Sequence, residues 1–126
     1  MKTLFMIVWV LFSLEVFAQD TTFKESPYRD VIAKIGNGKP VFLEVGSDSC
    51  RSCRVMGGML YATAQRHPGY AIYFINVKKE RAAAGELGVR MIPTQIIFDK
   101  EGREVFRHIG MLEAEELAGL FRTHGF

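Results

Sequence analysis

Cys50 and Cys53 are the two cysteines of this 126-residue chain, and two residues separate them. Such a pair can supply half of a metal site, form a structural disulfide, or alternate between dithiol and disulfide during catalysis. A disulfide across two residues closes a very small loop and adds little stability, because the entropic gain grows with loop size. The spacing therefore favours redox use over a structural bridge.

Metal binding is the weaker interpretation of this pair because the chain lacks further ligands. A structural zinc site takes four ligands, and the chain has no second cysteine pair. Its three histidines, His67, His108 and His124, are scattered along the sequence. Covalent haem attachment requires a histidine directly after the second cysteine, where this chain has Arg54. We therefore expect neither a metal nor a cofactor.

The beginning of the chain predicts export. Met1–Thr3 is a short basic start, residues 4–14 are apolar with one exception, and Val16 and Ala18 suit the −3 and −1 positions of a cleavage site. The apolar run is shorter than the roughly 20 residues that a membrane-spanning helix needs. We expect a secretory signal peptide over residues 1–18, cleavage after Ala18, and a periplasmic or otherwise secreted protein. The alternative is an uncleaved amphipathic or core helix.

Residues 19–126 are enough for one domain with its own core and too few for two. The chain has a formal net charge of +2, and the predicted signal removes one lysine and one glutamate, so the balance is unchanged. No run of lysine or arginine stands out, which argues against binding to nucleic acid or to a membrane surface. We expect a monomer.

The elements that must position the cysteines alternate between helix and strand. Sequence patterns predict helices over 27–35, 54–66, 81–87 and 113–122, and strands over 40–45, 70–77, 94–98 and 104–108. Ser26 and Pro27 are typical of the cap and the first residue of a helix. The first two strands are joined through a helix and should be parallel, whereas the last two should form an antiparallel hairpin. The nearly continuous apolar run 70–77 favours a central strand.

This arrangement predicts that Cys50 lies just before the second helix and that Cys53 lies in its first turn. The N-terminus of a helix carries free N–H groups and a partial positive charge, and both favour a thiolate. Cys50 should therefore have a lowered pKa and act as the nucleophile.

The Cys-x-x-Cys pair resembles the thioredoxin superfamily when it is taken together with the segment Gly88–Phe98, GVRMIPTQIIF. The resemblance covers about residues 40–122. It implies the thioredoxin fold, an α/β fold whose mixed sheet of four to five strands carries helices on both faces. It also implies a thiol–disulfide oxidoreductase with a redox-active Cys50–Cys53 disulfide, acting on protein thiols and disulfides.

Further residues match the family's site. Pro93 matches the cis-proline of thioredoxins and Ile92 the residue before it, and with Met91 they are expected to hold the substrate. Arg51, next to the first cysteine, is also expected to contact the substrate. Glu44 lies six residues before Cys50, where related oxidoreductases place a buried acid beneath the second cysteine. A desolvated carboxyl there would have a raised pKa and could take the proton of the second thiol. The alternative for Glu44 is a solvated position on the outer face of its strand.

The sequence also departs from the family's pattern. Ser49 precedes the first cysteine where thioredoxins usually have tryptophan, Arg51-Ser52 replaces Gly-Pro, and Gly57-Gly58 stands where the family has a proline or a similar break. The Arg51 cation should stabilise the neighbouring thiolate and make the couple a better oxidant. If Arg51 points into solvent, screening leaves only a small effect.

Two classes of function fit these observations. The first is an oxidoreductase outside the cytoplasm, active in disulfide reduction or cytochrome maturation, with a membrane-embedded electron donor or acceptor as a partner. The second is a thioredoxin-fold binding module or chaperone whose disulfide is passive. Either direction of electron flow is compatible with the sequence.

Overall fold

A computed structural model of the chain describes residues 22–126, so the predicted signal peptide over residues 1–18 lies outside the described residues. Helices and strands alternate through this part of the chain. In chain order they are α1 (Tyr28–Ile32), β1 (Val41–Gly46), α2 (Arg51–Arg66), β2 (Ile72–Asn76), α3 (Arg81–Glu86), β3 (Thr94–Phe98), β4 (Glu104–Ile109) and α4 (Ala114–Thr123).

The strands form one mixed sheet in the order β2-β1-β3-β4. β1 runs parallel to β2 and antiparallel to β3, and β3 and β4 form an antiparallel hairpin. The predicted parallel first pair and the predicted hairpin are therefore confirmed.

β1 is buried along its whole length at the centre of the sheet. Its side chains alternate between two cores, as its sequence predicted. Phe42 packs against residues of α2 and α4, including Met56 and Phe121. Leu43 and Val45 enter the second core, which contains residues of α1 and α3. The helices thus cover both faces, and the alternation places Glu44 on the α2 face with Phe42.

β2 is an edge strand of the described sheet, so the central position predicted for residues 70–77 is wrong. Its apolar run has a different cause, because Ile72 enters the core under α2 and Ile75 the core on the opposite face. A strand whose two faces are both covered by helices is apolar whether it lies at the centre or at the edge of the sheet. The outer edge is partly occupied, since the Ser26 N–H donates to the Phe74 carbonyl at 2.8 Å and Glu25 bridges to Phe74 in parallel.

Two helices begin at other residues than predicted. Pro27 is the N-cap of α1 and not its first residue, and its own side chain makes no capping hydrogen bond. The Tyr28 N–H at the start of the helix instead donates to the Glu80 carboxylate at 3.1 Å. Ser26 does not cap α1, and its backbone N–H instead pairs with the edge of β2. α2 begins at Arg51, three residues before the start that periodicity predicted. The expected position of Cys50 just before the helix and of Cys53 in its first turn is confirmed, with the Cys50 sulfur as the cap.

Candidate active site

The cysteine pair lies where β1 gives way to α2. A disulfide joins Cys50 and Cys53, whose Cα atoms are 5.1 Å apart. Cys50 is the N-cap of α2, and its Sγ accepts a hydrogen bond from the Cys53 backbone N–H at 3.2 Å. Cys50 is partly exposed, whereas Cys53 is only 5% exposed. The accessible sulfur is thus the one that the helix N-terminus would stabilise as a thiolate.

Gly46 allows the second cysteine to approach the sheet. It is the last residue of β1, and a Cβ atom on it would lie 2.8 Å from the Sγ and 3.1 Å from the Cβ of Cys53. Real Cβ atoms do not approach other heavy atoms so closely, so any side chain here would displace the disulfide or the strand.

We expect Gly46→Ala to destabilise the oxidised protein by about 1–3 kcal/mol, the usual cost of overpacking a core. The disulfide prevents Cys53 from swinging away, so the strain cannot be relieved by a rotamer change. Gly58→Ala is the matched control, because nothing lies within 4 Å of a Cβ at this position of α2 and alanine favours a helix by about 1 kcal/mol. Urea unfolding of the oxidised proteins measures both. A Gly46→Ala protein as stable as the parent would contradict the close contact.

Glu44 is a buried carboxyl, 1% exposed, on the central strand. The structure therefore excludes the solvated position that was its alternative. Burial raises the pKa of Glu44 to about 8, and a hydrogen bond from Gln95 opposes part of that rise. The raised pKa agrees with what the sequence predicted for a desolvated carboxyl.

Gln95 was not among the residues predicted from the sequence. It pairs with Glu44 across β1 and β3, is fully buried, and directs Nε2 at both carboxylate oxygens at 3.2 and 3.3 Å. Glu44 and Gln95 are polar residues within largely apolar strands, and this pattern could have indicated that they pair inside the core. The antiparallel register that brings them together could not be read from either strand alone.

A cavity of about 330 Å³ connects the buried acid with the second cysteine. Glu44 and Cys53 both line it, together with Ser47 and the charged residues Asp48 and Arg54. Gly57 and Gly58 line it as well. The space is large enough for several water molecules, each of which takes about 30 Å³ in the liquid. Water in this cavity could carry a proton between the carboxyl and the thiol.

The proline loop lies at the same end of the sheet as the cysteines, because Thr94 directly after it pairs with Val45 near the end of β1. The Ile92–Pro93 peptide is cis, as the resemblance to thioredoxins implied. Pro93 accepts a hydrogen bond from the Gly110 N–H at 2.8 Å. The Met91 carbonyl accepts one from the Thr94 hydroxyl at 2.6 Å, while the Met91 side chain is 63% exposed.

Arg51 is exposed at the first position of α2, directly after Cys50. Its charge is therefore one residue away from the accessible Cys50 sulfur in sequence, but solvent surrounds it and weakens its electrostatic effect on that sulfur.

Between residues 22 and 126, no helix is long and apolar enough to cross a membrane. In the same part of the chain, no three or more His, Cys, Asp or Glu side chains form a group that could hold a metal ion.

Comparisons with known proteins agree with this geometry. Residues 28–125 match the family model described as a thioredoxin-like domain. A thioredoxin of Chlamydia muridarum is 30% identical over 84 residues, which cover 67% of this chain and 81% of the relative. The chloroplastic thioredoxin-like protein HCF164 of Oryza sativa subsp. japonica is 28% identical over 100 residues, 77% of this chain and 37% of that protein.

Solved structures share the fold. A mutant thioredoxin from Halobacterium salinarum NRC-1 superposes with a TM-score of 0.71 at 20% identity, covering 81% of this chain and 88% of the other. A thioredoxin from Nicotiana alata superposes with a TM-score of 0.67 at 23% identity, covering 76% and 82% of the two chains.

Proposed function

Because the chain belongs to the thioredoxin-like family and is a thiol–disulfide oxidoreductase, we propose that Cys50 and Cys53 are its redox couple and that it exchanges disulfides with proteins outside the cytoplasm. The observation that carries this assignment is the asymmetry of the pair. Cys50 is accessible and accepts an N–H from the start of α2, whereas Cys53 is buried beside the cavity that Glu44 lines.

In the proposed reaction the Cys50 thiolate attacks a substrate disulfide. A bond forms between its sulfur and one substrate sulfur, the substrate disulfide breaks, and the other substrate sulfur leaves as a thiolate. Cys53 then gives its proton to the ionised form of Glu44 and attacks the Cys50 sulfur. The intramolecular disulfide forms, the mixed disulfide breaks, and the second substrate thiolate leaves. The substrate gains two electrons that the cysteine pair loses, and the reverse sequence oxidises a substrate.

The loop before β3 is proposed to hold the substrate. Within residues 22–126, the backbone N–H and C=O of Ile92 have no hydrogen-bond partner, so they are free to pair with an extended segment of another protein. The exposed Met91 side chain beside them can adapt to varied apolar groups. Buried Pro93 fixes this part of the loop against the sheet.

The place of action rests on the pattern of residues 1–18, which resembles a secretory signal peptide. We propose that residues 19–126 form the exported domain, that it works as a monomer in disulfide reduction or cytochrome maturation, and that a membrane-embedded donor or acceptor exchanges electrons with it. The family membership argues against the alternative of a passive disulfide, and so does the buried acid, which a structural bridge would not need.

The export proposal predicts that the secreted protein begins at Gln19 and therefore lacks Trp9, the one tryptophan of the chain. The intact mass and the tryptophan fluorescence of protein recovered from the periplasm or the medium measure this. A Glu25→Gln protein provides a control with a shifted mass and an unchanged leader. A recovered chain that still starts at Met1 would refute the cleavage.

Equilibrium titration against glutathione tests the redox couple. We expect one two-electron transition with a midpoint of roughly −150 to −250 mV. This range is less negative than the value typical of thioredoxin and includes the value typical of disulfide isomerase. A midpoint below about −300 mV would instead be typical of a structural disulfide that the glutathione pool does not reduce, and it would overturn the proposal.

In the same titration, Arg51→Glu is expected to lower the midpoint by about 10–30 mV, the size of an exposed charge interaction converted for a two-electron couple. The cation favours the Cys50 thiolate and hence the reduced form, so reversing the charge favours the disulfide. Arg66→Glu makes the same charge change at the far end of α2 and should leave the midpoint in place. If both variants match the parent, Arg51 is only a solvated surface charge.

A further inference from the structure

Gln95 contains a polar atom that the fold leaves unpaired. Its Oε1 is buried and has no hydrogen-bond partner within the part of the chain that the structure describes. Its Nε2, on the same amide, faces both oxygens of Glu44. Buried polar atoms without partners are rare in native structures because they lose their hydrogen bonds to water without replacement. This orphan therefore calls for an explanation.

The present orientation of the amide suits only one state of Glu44. An ionised carboxylate accepts hydrogen bonds through both oxygens, and the Nε2 group supplies them. A protonated carboxyl must also donate its O–H, and an amide nitrogen cannot accept it. Burial raises the pKa of Glu44 to about 8 in this disulfide-bonded protein, so the protonated state, which is the product of the resolving step, prevails there at neutral pH. Gln95 Oε1 is an unpaired acceptor on the same amide, at the end that does not face the carboxyl.

We propose that the Gln95 amide turns over with the protonation of Glu44, presenting Nε2 to the carboxylate and Oε1 to the carboxyl, and that Gln95 is thereby a positioning residue for the proton of the resolving step. A rotation of about 180° about the last side-chain torsion exchanges the two ends of the amide without changing its shape. In the second orientation Gln95 Oε1, which is unpaired in the structure, accepts the hydrogen bond from the Glu44 carboxyl.

This inference rests on the proposed role of Glu44 as the acceptor of the Cys53 proton. As Cys53 attacks the Cys50 sulfur, the thiol proton passes to Glu44, and the amide turns so that Oε1 accepts the new O–H. When Glu44 loses the proton, either back to Cys53 on reduction or to the solvent while the disulfide persists, Nε2 faces the carboxylate, as it does in this disulfide-bonded structure. Because each state has a partner, neither direction of exchange leaves the acid unsatisfied.

Other titratable groups near Glu44 could also change the Gln95 signal with pH, and their contributions must be distinguished from the amide rotation. Cys53 of α2 faces the cavity but does not titrate while it is in the disulfide. Asp48 and Arg54 are the charged residues that line the same cavity. From β2, the residue paired with Glu44 is Phe74, which has no titratable group. Measurements on the oxidised protein, with Asp48→Asn as a control, therefore isolate the Glu44–Gln95 pair.

Nuclear magnetic resonance of the oxidised protein tests the switch without any turnover. The Glu44 side-chain carboxyl carbon and the Gln95 side-chain amide nitrogen should titrate between pH 5 and 10 with a common midpoint. The Gln95 signal should lose that titration in Glu44→Gln and keep it in Asp48→Asn. A Gln95 amide that does not follow Glu44 in the parent protein overturns the proposal, whatever the variants do.

Gln95→Met gives the second readout, because methionine has a similar length and forms no comparable hydrogen bond. A hydrogen bond to a charged oxygen is stronger than one to a neutral carboxyl, so its loss should move the Glu44 midpoint upward by about one pH unit. The pH profile of the resolving step should shift with it. An unchanged or lowered midpoint contradicts the proposal. If the Glu44 carboxyl and the Gln95 amide titrate together but the rate of the resolving step does not follow their midpoint, the amide rotation is supported and the proposed role of Glu44 in that step is refuted.

Discussion

Cys50→Ser is expected to abolish disulfide exchange, with a loss of about 10⁴-fold or more, as for other enzymes deprived of their nucleophile. Cys53→Ser should instead keep the first attack and accumulate the mixed disulfide with its substrate. The reason is the position of the two sulfurs, since Cys50 is accessible at the N-cap of α2 and Cys53 is buried in its first turn. Non-reducing electrophoresis and mass spectrometry of adducts with a disulfide-containing protein measure both results.

The two cysteine variants control for each other because both lose the same disulfide and replace sulfur with oxygen. Any general effect on stability should therefore be shared, while the trapping of a partner should not. Alkylation of the reduced parent at pH 6 adds an independent check, because the thiolate is the reactive form and the helix N-terminus favours it at Cys50. Trapping by Cys50→Ser, or equal alkylation of both thiols, would reverse or remove the assignment.

Glu44→Gln is expected to slow the resolving step by about 10²-fold or more and to leave the first attack almost unchanged. The variant removes the proton acceptor for Cys53 but not the N–H groups that stabilise the Cys50 thiolate. Rapid-mixing kinetics of both steps from pH 5 to 9 measure the effect. Glu115→Gln, an exposed acid on α4, is the matched control. Slowing of the first attack alone would remove the proposed role of Glu44.

The same variant should change how stability depends on pH. The folded pKa of Glu44 is about 8 against an ordinary value of 4.5, so between these values the folded protein holds a proton that the unfolded chain releases. The parent therefore loses stability as pH rises through this window, at up to about 1.4 kcal/mol per pH unit. Glu44→Gln should lack this loss and gain on the parent between pH 5 and 8. Parallel urea-unfolding curves across that range would show that Glu44 ionises freely.

Local patterns in the sequence predicted most elements, and the resemblance to thioredoxins predicted the cis peptide before Pro93. The bounds of β3 agreed with the prediction because the apolar residues Ile96–Phe98 lie between Pro93 and the turn over 99–102. Glu44 was expected to be buried because related oxidoreductases place an acid at its offset from Cys50, and the structure buries it. These features depend on residues close together in the chain, where the spacing of side chains is fixed by the element that carries them.

Features that depend on partners distant in the chain were missed. Gln95 matters only because β3 lies antiparallel beside β1, and that register follows from the assembled sheet. The edge position of β2 was missed for the same reason, since burial by helices on both faces and burial between two strands produce the same apolar sequence. Periodicity placed the start of α2 three residues too late because a cysteine sulfur replaces the usual oxygen cap.

The outer edge of β2 is partly occupied by residues of the same chain, which limits how two molecules can pair at high concentration. An open strand edge is a template on which a second chain can add a strand, and such additions lead to aggregation. Ser26 takes up the Phe74 carbonyl of β2, and Glu25 binds Asn76 and forms an ion pair with Lys79 at the same edge. The few residues that precede α1 thus protect the folded domain against self-association through β2.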